Sequence, residues 1–267
     1  MEIYLIRHGT TEWNKQLRLQ GKTDTLLDPI GIEMARCTGL RFRELGITFD
    51  RVYSSPLKRA FSTALLAAGL EDAEGVAEAF AADPSMGSTR YPIPVIADRR
   101  LEELGFGKQE GRRVTEMTED ASVPFRYFKE DPAEYDRRAA EADAETLTEL
   151  CARTADFLRE TVELPYLNEG EEETPERILI SGHGACNKGL LMHIRGDRNL
   201  DNFWAGGLQR NCGVDRILYE PEAGRYTVLE TGRIYYPEDL AGNYRSLIRD
   251  RENAAHVLLP EGTEEQA

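Results

Sequence analysis

Four histidines occur in this chain, and two of them share one setting. His8 directly follows an apolar run in Arg7-His8-Gly9-Thr10-Thr11-Glu12-Trp13-Asn14, and His183 closes Ile178-Leu179-Ile180-Ser181-Gly182. Each is followed by a glycine, which lets the backbone turn sharply and approach a ligand closely. An imidazole held by a hydrogen bond on one ring nitrogen presents a lone pair on the other, and such a group can attack phosphorus. Arg7 beside it offers a planar fork of donors suited to phosphate oxygens. A protonated His183 would share the phosphate's charge. Either histidine alone could be a hydrogen-bonded residue at a strand end. The pair reads more economically as one phosphate-handling crevice.

Two more segments carry the remaining groups that such chemistry needs. Ser54-Ser55-Pro56-Leu57-Lys58-Arg59-Ala60 joins a strand to a helix, with Pro56 near the first turn, where proline is tolerated. Arg59 in that turn can point back towards the strand ends as a second clamp. In Leu101-Glu102-Glu103-Leu104-Gly105-Phe106-Gly107 a carboxyl group could protonate a leaving oxygen and later take a proton from the attacking water. Residue type alone leaves Glu102 and Glu103 as equal candidates. His193, on a helix without an i,i+4 partner, reads as structural, and His256 in the tail has no assigned role.

Groups at strand ends need a sheet to hold them. Residues 2–6, 51–54, 93–97 and 177–181 are short apolar runs that predict buried strands. Residues 213–219 and 225–230 predict a late antiparallel pair, and helices fit 31–45, 56–68, 141–163 and 185–194. This alternation predicts a three-layer α/β/α sandwich with a mainly parallel central sheet, since open sheets bind ligands at the C-terminal ends of their strands. The simplest organisation is one domain over 1–251, with insertions at about 70–92 and 108–140, an acidic loop over 165–176 and a C-terminal helix over 238–251. An acidic, flexible tail over 252–267 follows.

With 33 basic and 48 acidic residues, the net charge of −15 repels nucleic acid and anionic membranes, so neither is an expected partner. No run approaches the ~20 apolar residues of a membrane span. The opening MEIYLI reads as a strand, not an export signal, and four scattered cysteines without a CxxC pair suit a reducing cytosol, so a cytoplasmic location is expected. A phosphate site on such an acidic chain must concentrate positive charge locally.

In the order RHGTTEWN, LQGKTDTLLDPIG, SSPLKRA, LEELGFGKQEG and ISGHG, the chain resembles the histidine phosphatase superfamily from residue 3 to about 190. That family includes cofactor-dependent phosphoglycerate mutases and many small-molecule phosphatases. The resemblance implies that His8 is the phosphorylated nucleophile and that Glu103 is the general acid and base. It implies a phosphate pocket of Arg7, Arg59, His183 and Gly184 with Asn14 nearby, and it places Gln20 and Gly21 near the substrate mouth. The implied partner is a small-molecule phosphate monoester, with a homodimer as the one protein assembly entertained. Neither a metal nor another cofactor is implied. The chain departs from the family pattern in three places. Arg59 and Glu103 lie further apart than in compact members, Gln109 replaces the common tryptophan before Glu-Gly, and Gly182 stands where serine or threonine often precedes the second histidine.

Mutase-like members favour serine where this chain has Thr11, and they carry a basic insert beyond the acid. Here Arg112, Arg113, Arg126, Lys129, Arg137 and Arg138 are interleaved with many acids, while Glu145-Thr146-Leu147 followed by Arg153 resembles a phosphatase-type helix. The expected function is a metal-independent phosphatase acting through a phosphohistidine. The alternatives are a phosphoglycerate mutase-type transfer and, in a minor place, a non-catalytic phospholigand-binding protein.

Overall fold

The computed structural model describes residues 1–72, 75, 91–167 and 175–240. Six strands form one sheet: β1 (Glu2–Arg7), β2 (Arg51–Ser54), β3 (Val95–Ala97), β4 (Arg177–Gly182), β5 (Val214–Glu220) and β6 (Arg225–Arg233), in the order β3-β2-β4-β1-β5-β6. The first four are parallel, and β5 and β6 add an antiparallel edge. β1, β2 and β4 are buried along nearly their whole length, as strands covered on both faces are. In the β1–β4 pairing Arg7 lies opposite Gly182. The next residue of each strand is a histidine, so the register delivers His8 and His183 side by side.

The helices are α1 (Glu12–Lys15), α2 (Pro29–Glu44), α3 (Lys58–Ala67), α4 (Val114–Thr118), α5 (Pro132–Arg138), α6 (Leu147–Leu158), α7 (Leu164–Leu167) and α8 (Gly184–Ile194). Side chains alternate across β1 and sort the core into two halves. Ile3 and Leu5 pack with Leu150, Phe157 and Leu190 of α6 and α8. Tyr4 and Ile6 face the other way, onto Met34, Phe42 and Leu65 of α2 and α3. The result is the three-layer α/β/α arrangement that the alternation of elements predicts.

Several boundaries differ from expectation for identifiable reasons. The run 141–163 is not one helix: Asp143, at φ +53, closes a 3-10 turn over Ala139–Ala142, and α6 starts at Leu147 under a Thr146–Glu149 capping box. It then continues through a π-helical turn, Arg159–Glu163, into α7, so residues 165–167 of the expected acidic loop are helical. The helix expected from 56 starts at Lys58 because Leu57 is still extended. β3 begins at 95, not 93, and the edge pair runs on to Arg233. Residues 108–140 are no mere surface insertion. They supply Phe125, Phe128 and Tyr135 to an edge-to-face aromatic cluster with Phe106 and Trp204. Most of 70–92, the loop 168–174, the helix beyond residue 240 and the tail 252–267 lie outside the described residues. Among those that are described, no helix is long and apolar enough to cross a membrane.

Gly31 of α2 packs directly on the backbone of Thr10, so a Cβ there would overlap the Thr10 nitrogen and carbonyl oxygen. Alanine in a helix ordinarily stabilises by up to ~1 kcal/mol over glycine. Gly31→Ala is expected instead to destabilise by about 1–3 kcal/mol in urea unfolding, because the clash pushes against the loop behind His8. A gain in stability would show that this contact is looser than the structure has it.

Candidate active site

His8 emerges from β1 with its Nδ1 2.6 Å from the Gly9 carbonyl oxygen. A carbonyl only accepts, so Nδ1 carries the proton and Nε2 keeps its lone pair. The backbone is pinned as well: the His8 carbonyl accepts from Asn211 Nδ2 at 2.9 Å, and the Gly9 N–H donates to Thr63 Oγ1 at 3.0 Å. Burial, reinforced by the charges of Arg59 and Arg7, holds the imidazole well below its ordinary value of 6.5, and the Gly9 carbonyl offsets only part of this. His8 is therefore a neutral base aimed by its own backbone.

Arg59 is fully buried at the start of α3. Its Nη1 and Nη2 donate to the carbonyls of Thr23 and Gly21 at 2.8 and 2.7 Å, while Nε has no hydrogen-bond partner among the described residues. Burial brings it down to about 10. Gly21 adopts φ +56, and a side chain there would collide with Glu110. Glu110 in turn accepts the N–H groups of Lys22, Thr23 and Phe106, which fixes the carbonyls that hold Arg59. Arg7 donates through Nη1 to the Gln209 carbonyl at 2.6 Å.

His183 lies beside His8, with ring centroids 5.2 Å apart and planes inclined at 55°. Its Nε2 is 2.8 Å from Ser55 Oγ, and its Nδ1 has no partner among the described residues. Burial first, then Arg59 and His8, hold it well below 6.5. The protonated form, in which His183 would share a phosphate's charge, is thus disfavoured by its surroundings. At Gly182, just before it, the Asn187 Oδ1 takes the space of a Cβ, so a side chain there would have to displace that carboxamide.

Of the two candidate acids, Glu103 lines the cleft. Its Oε1 accepts N–H bonds from Leu104 at 2.9 Å, Ala185 at 3.1 Å and Cys186 at 3.0 Å, at the N-terminal end of α8. Arg153 clamps the same loop through the carbonyls of Arg100, Glu102 and Glu103 and pairs with Glu145 at 2.6 Å. Asn14 Oδ1 accepts from the Thr11 N–H and Gln20 Oε1 from the Thr25 hydroxyl, with the one Thr11 hydroxyl hydrogen within reach of either oxygen, so each amide keeps its NH2 for the cleft that both residues line. Gly184 also lines it. The cavity encloses about 90 Å³, and Arg7, His8, Arg18, Arg59 and Glu103 are among its lining residues. Much of the remaining wall is apolar: Leu19, Phe106, Phe125, Phe128, Trp204 and Leu208.

The sequence profile of the histidine phosphatase superfamily, branch 1, matches residues 3–231. The chain belongs to this superfamily. It is 32% identical to the probable phosphoglycerate mutase GpmB of Enterobacter sp. (strain 638) over 221 residues, 82% of this chain and 86% of that protein. It is 27% identical to the putative phosphoserine phosphatase 2 of Hydrogenobacter thermophilus, over 82% of this chain and 90% of the relative. Bacillus stearothermophilus YhfR superposes with a TM-score of 0.67 at 25% identity, covering 87% of this chain and 97% of that one.

Within this histidine phosphatase superfamily member, Ser55, Thr63, Gln209 and Asn211 were not marked by their sequence context, yet each holds a residue of the cleft. Ser55 stood inside a quoted motif and was the one within reach. His193 pairs with Glu163 at 2.6 Å, away from the cleft, and His256 lies outside the described residues. All four cysteines are free thiols.

Because both cleft histidines are held below 6.5, the unfolded chain binds more protons than the folded one as pH falls through that value. Their contribution to stability is present above about pH 6.5 and is lost below it. Ring-carbon NMR of the ligand-free protein is expected to show His8 and His183 neutral throughout pH 6.5–8, with inorganic phosphate moving both upward. Titration of either at or above 6.5 without phosphate would refute the assignment.

Proposed function

We propose that the protein is a phosphatase that hydrolyses a small phosphate monoester through a phosphohistidine on His8. In the first step His8 Nε2 attacks phosphorus, the bond to the leaving oxygen breaks, and Glu103 gives that oxygen its proton. The backbone donors at the start of α8 stabilise the carboxylate as it forms. In the second step Glu103 takes a proton from water as the water oxygen attacks phosphorus. The P–N bond then breaks, and inorganic phosphate and neutral His8 are regenerated. Arg7, Arg59, His183 and the Asn14 amide bear the charge of the transferring group. Gln20 and Gly184 border it, and Gly21 acts at one remove, through its carbonyl on Arg59.

The observation that supports hydrolysis over phosphoryl return is the make-up of the cleft wall, in which Leu19, Phe106, Val114, Phe125, Phe128, Trp204 and Leu208 outnumber the cations. A mutase must hold a second oxyanion beside the one at Arg7 and Arg59. Arg18, the third arginine of the cleft, is held by Gln16 and the Gly111 carbonyl, and three arginines of 108–140 pair with acids: Arg126 with Glu130, Arg137 with Glu134 and Arg138 with Glu141. The same wall favours a leaving group with an apolar face over bare glycerate. The names of the relatives divide between mutase and phosphatase, and this geometry favours the second.

His8→Ala is expected to lower turnover by roughly 10³-fold or more and to abolish the acid-labile phosphoenzyme with it. An aryl and alkyl phosphate panel alongside 3-phosphoglycerate tests the substrate side: phosphate release is expected throughout, fastest on aryl esters. Formation of 2-phosphoglycerate without free phosphate would overturn the hydrolytic reading. Glu103→Gln should still be phosphorylated by p-nitrophenyl phosphate, whose leaving group needs no proton, while alkyl phosphate turnover collapses. Equal losses in the rate of phosphoenzyme formation from both, the step that precedes the attack of water, would remove Glu103 from the acid's role.

A further inference from the structure

On the far side of Leu208 and Gly184, which border both spaces, lies a second cavity of about 310 Å³. Charged groups are prominent in its lining: Lys188, Arg195, Arg210 and Asp215. Lys188, one turn along α8 from Gly184, is only 5% exposed, and its ammonium donates to the Ala205 carbonyl at 2.8 Å. A lysine ammonium has three donors, so two remain unspent. Asp215 on β5 is 3% exposed and accepts from the Gly232 N–H, yet no ion pair joins it to Lys188. Arg195 and Arg210 border the same space, and neither guanidinium has a hydrogen-bond or ion-pair partner among the described residues.

That concentration is unusual for this chain. Many arginines elsewhere are tied to neighbouring carboxylates, as in Arg36–Glu33, Arg137–Glu134 and Arg225–Glu220, and among the described residues those that are not, such as Arg43 and Arg113, do not share a cavity with a buried lysine. Here three cations surround one carboxylate in a walled space, against a net charge of −15. Burying an ammonium with a single carbonyl partner is costly, and the deficit is met by a ligand that brings its own negative oxygens. Burial accordingly draws Lys188 down to about 8, with Arg195 acting in the same direction.

We propose that this cavity binds a small oxyanion, the carboxylate or phosphate of a metabolite, on Lys188 and Arg210, and that its occupancy tunes the neighbouring cleft. The path is short. Lys188 holds the Ala205 carbonyl at one end of the turn Ala205–Leu208, in which Gly206 and Gly207 take φ +75 and +69. At the other end Gln209 accepts the Arg7 guanidinium on its carbonyl, donates through Nε2 to the Leu5 carbonyl, and accepts on Oε1 from Asn187 Nδ2. An oxyanion that draws Lys188 away from Ala205 shifts this turn, and with it the atom that aims Arg7. The binding claim is independent of the phosphatase reading; the tuning claim rests on it.

Calorimetric titration with inorganic phosphate and, separately, with succinate tests the binding. Two phosphate sites are expected on the wild-type protein. One should persist in His8→Ala and weaken by about tenfold or more in both Arg210→Gln and Lys188→Gln, the loss typical of one charge-assisted contact. Succinate binding at that site identifies a carboxylate ligand, and phosphate binding alone identifies a phosphate. A single phosphate site, or two sites indifferent to Arg210→Gln, would overturn the proposal. Arg210 is only partly buried, so its variant is expected to fold and to keep ligand-free turnover. With the second-site ligand saturating, KM for an aryl phosphate should change severalfold in wild type and not in Arg210→Gln. Binding without that change would refute the tuning while leaving the site. Absence of any turnover would fault the phosphatase reading and leave the titrations to decide the rest.

Discussion

Arg59 is completely buried, and the groups that meet its guanidinium are the carbonyls of Gly21 and Thr23, with no carboxylate in ion-pairing range among the described residues. Removing such a charge from water costs several kcal/mol after relaxation, and two carbonyl dipoles offset only part of that. Much of the surrounding structure answers to this one charge. It helps keep His8 and His183 neutral, so that the Nε2 of His8 retains its lone pair. It requires the 20–25 loop to present its carbonyls inward, and Glu110 is spent on holding that loop. The unmet part of the charge leaves a strongly acidic protein with one concentrated positive point, as the proposed phosphate site requires.

Glu103 illustrates a different solution to the same difficulty. It is placed by backbone alone: its carboxylate rests on N–H groups at the start of α8 and its own loop is clamped by Arg153. Neither support moves when a proton comes or goes. The acid and base role proposed for Glu103 would gain from such a mount, because its position does not depend on its charge.

Much of this was legible in the sequence, and unevenly so. His8 and His183 each end a dense apolar run, and a parallel sheet has few ways to arrange two such runs apart from neighbours, which is how β1 and β4 pair. Arg59 was found through its place in a helix start, although its complete burial was not foreseen. What stayed hidden was the support. The Gly9, Gly21 and Thr23 carbonyls have no residue signature, and Gln209 and Asn211 reach the cleft from some 200 positions away in the chain. The 141–163 run misled because its apolar spacing hardly changes across Asp143, whose left-handed backbone breaks it. The aromatic wall could not be read from 108–140, since Phe125 and Phe128 acquire meaning only against Phe106 and Trp204.

Gly182 departs from the family habit of a hydroxyl residue before the second histidine, and the structure shows what occupies that space: the carboxamide oxygen of Asn187. The same carboxamide grips Gln209, on whose carbonyl Arg7 rests. The two positions are therefore coupled. A side chain at 182 has to turn the Asn187 carboxamide aside, and that carboxamide cannot turn without loosening its hold on Gln209. What looks like a lapse in the motif is thus transmitted, little more than one helical turn downstream, to the residue on which Arg7 rests.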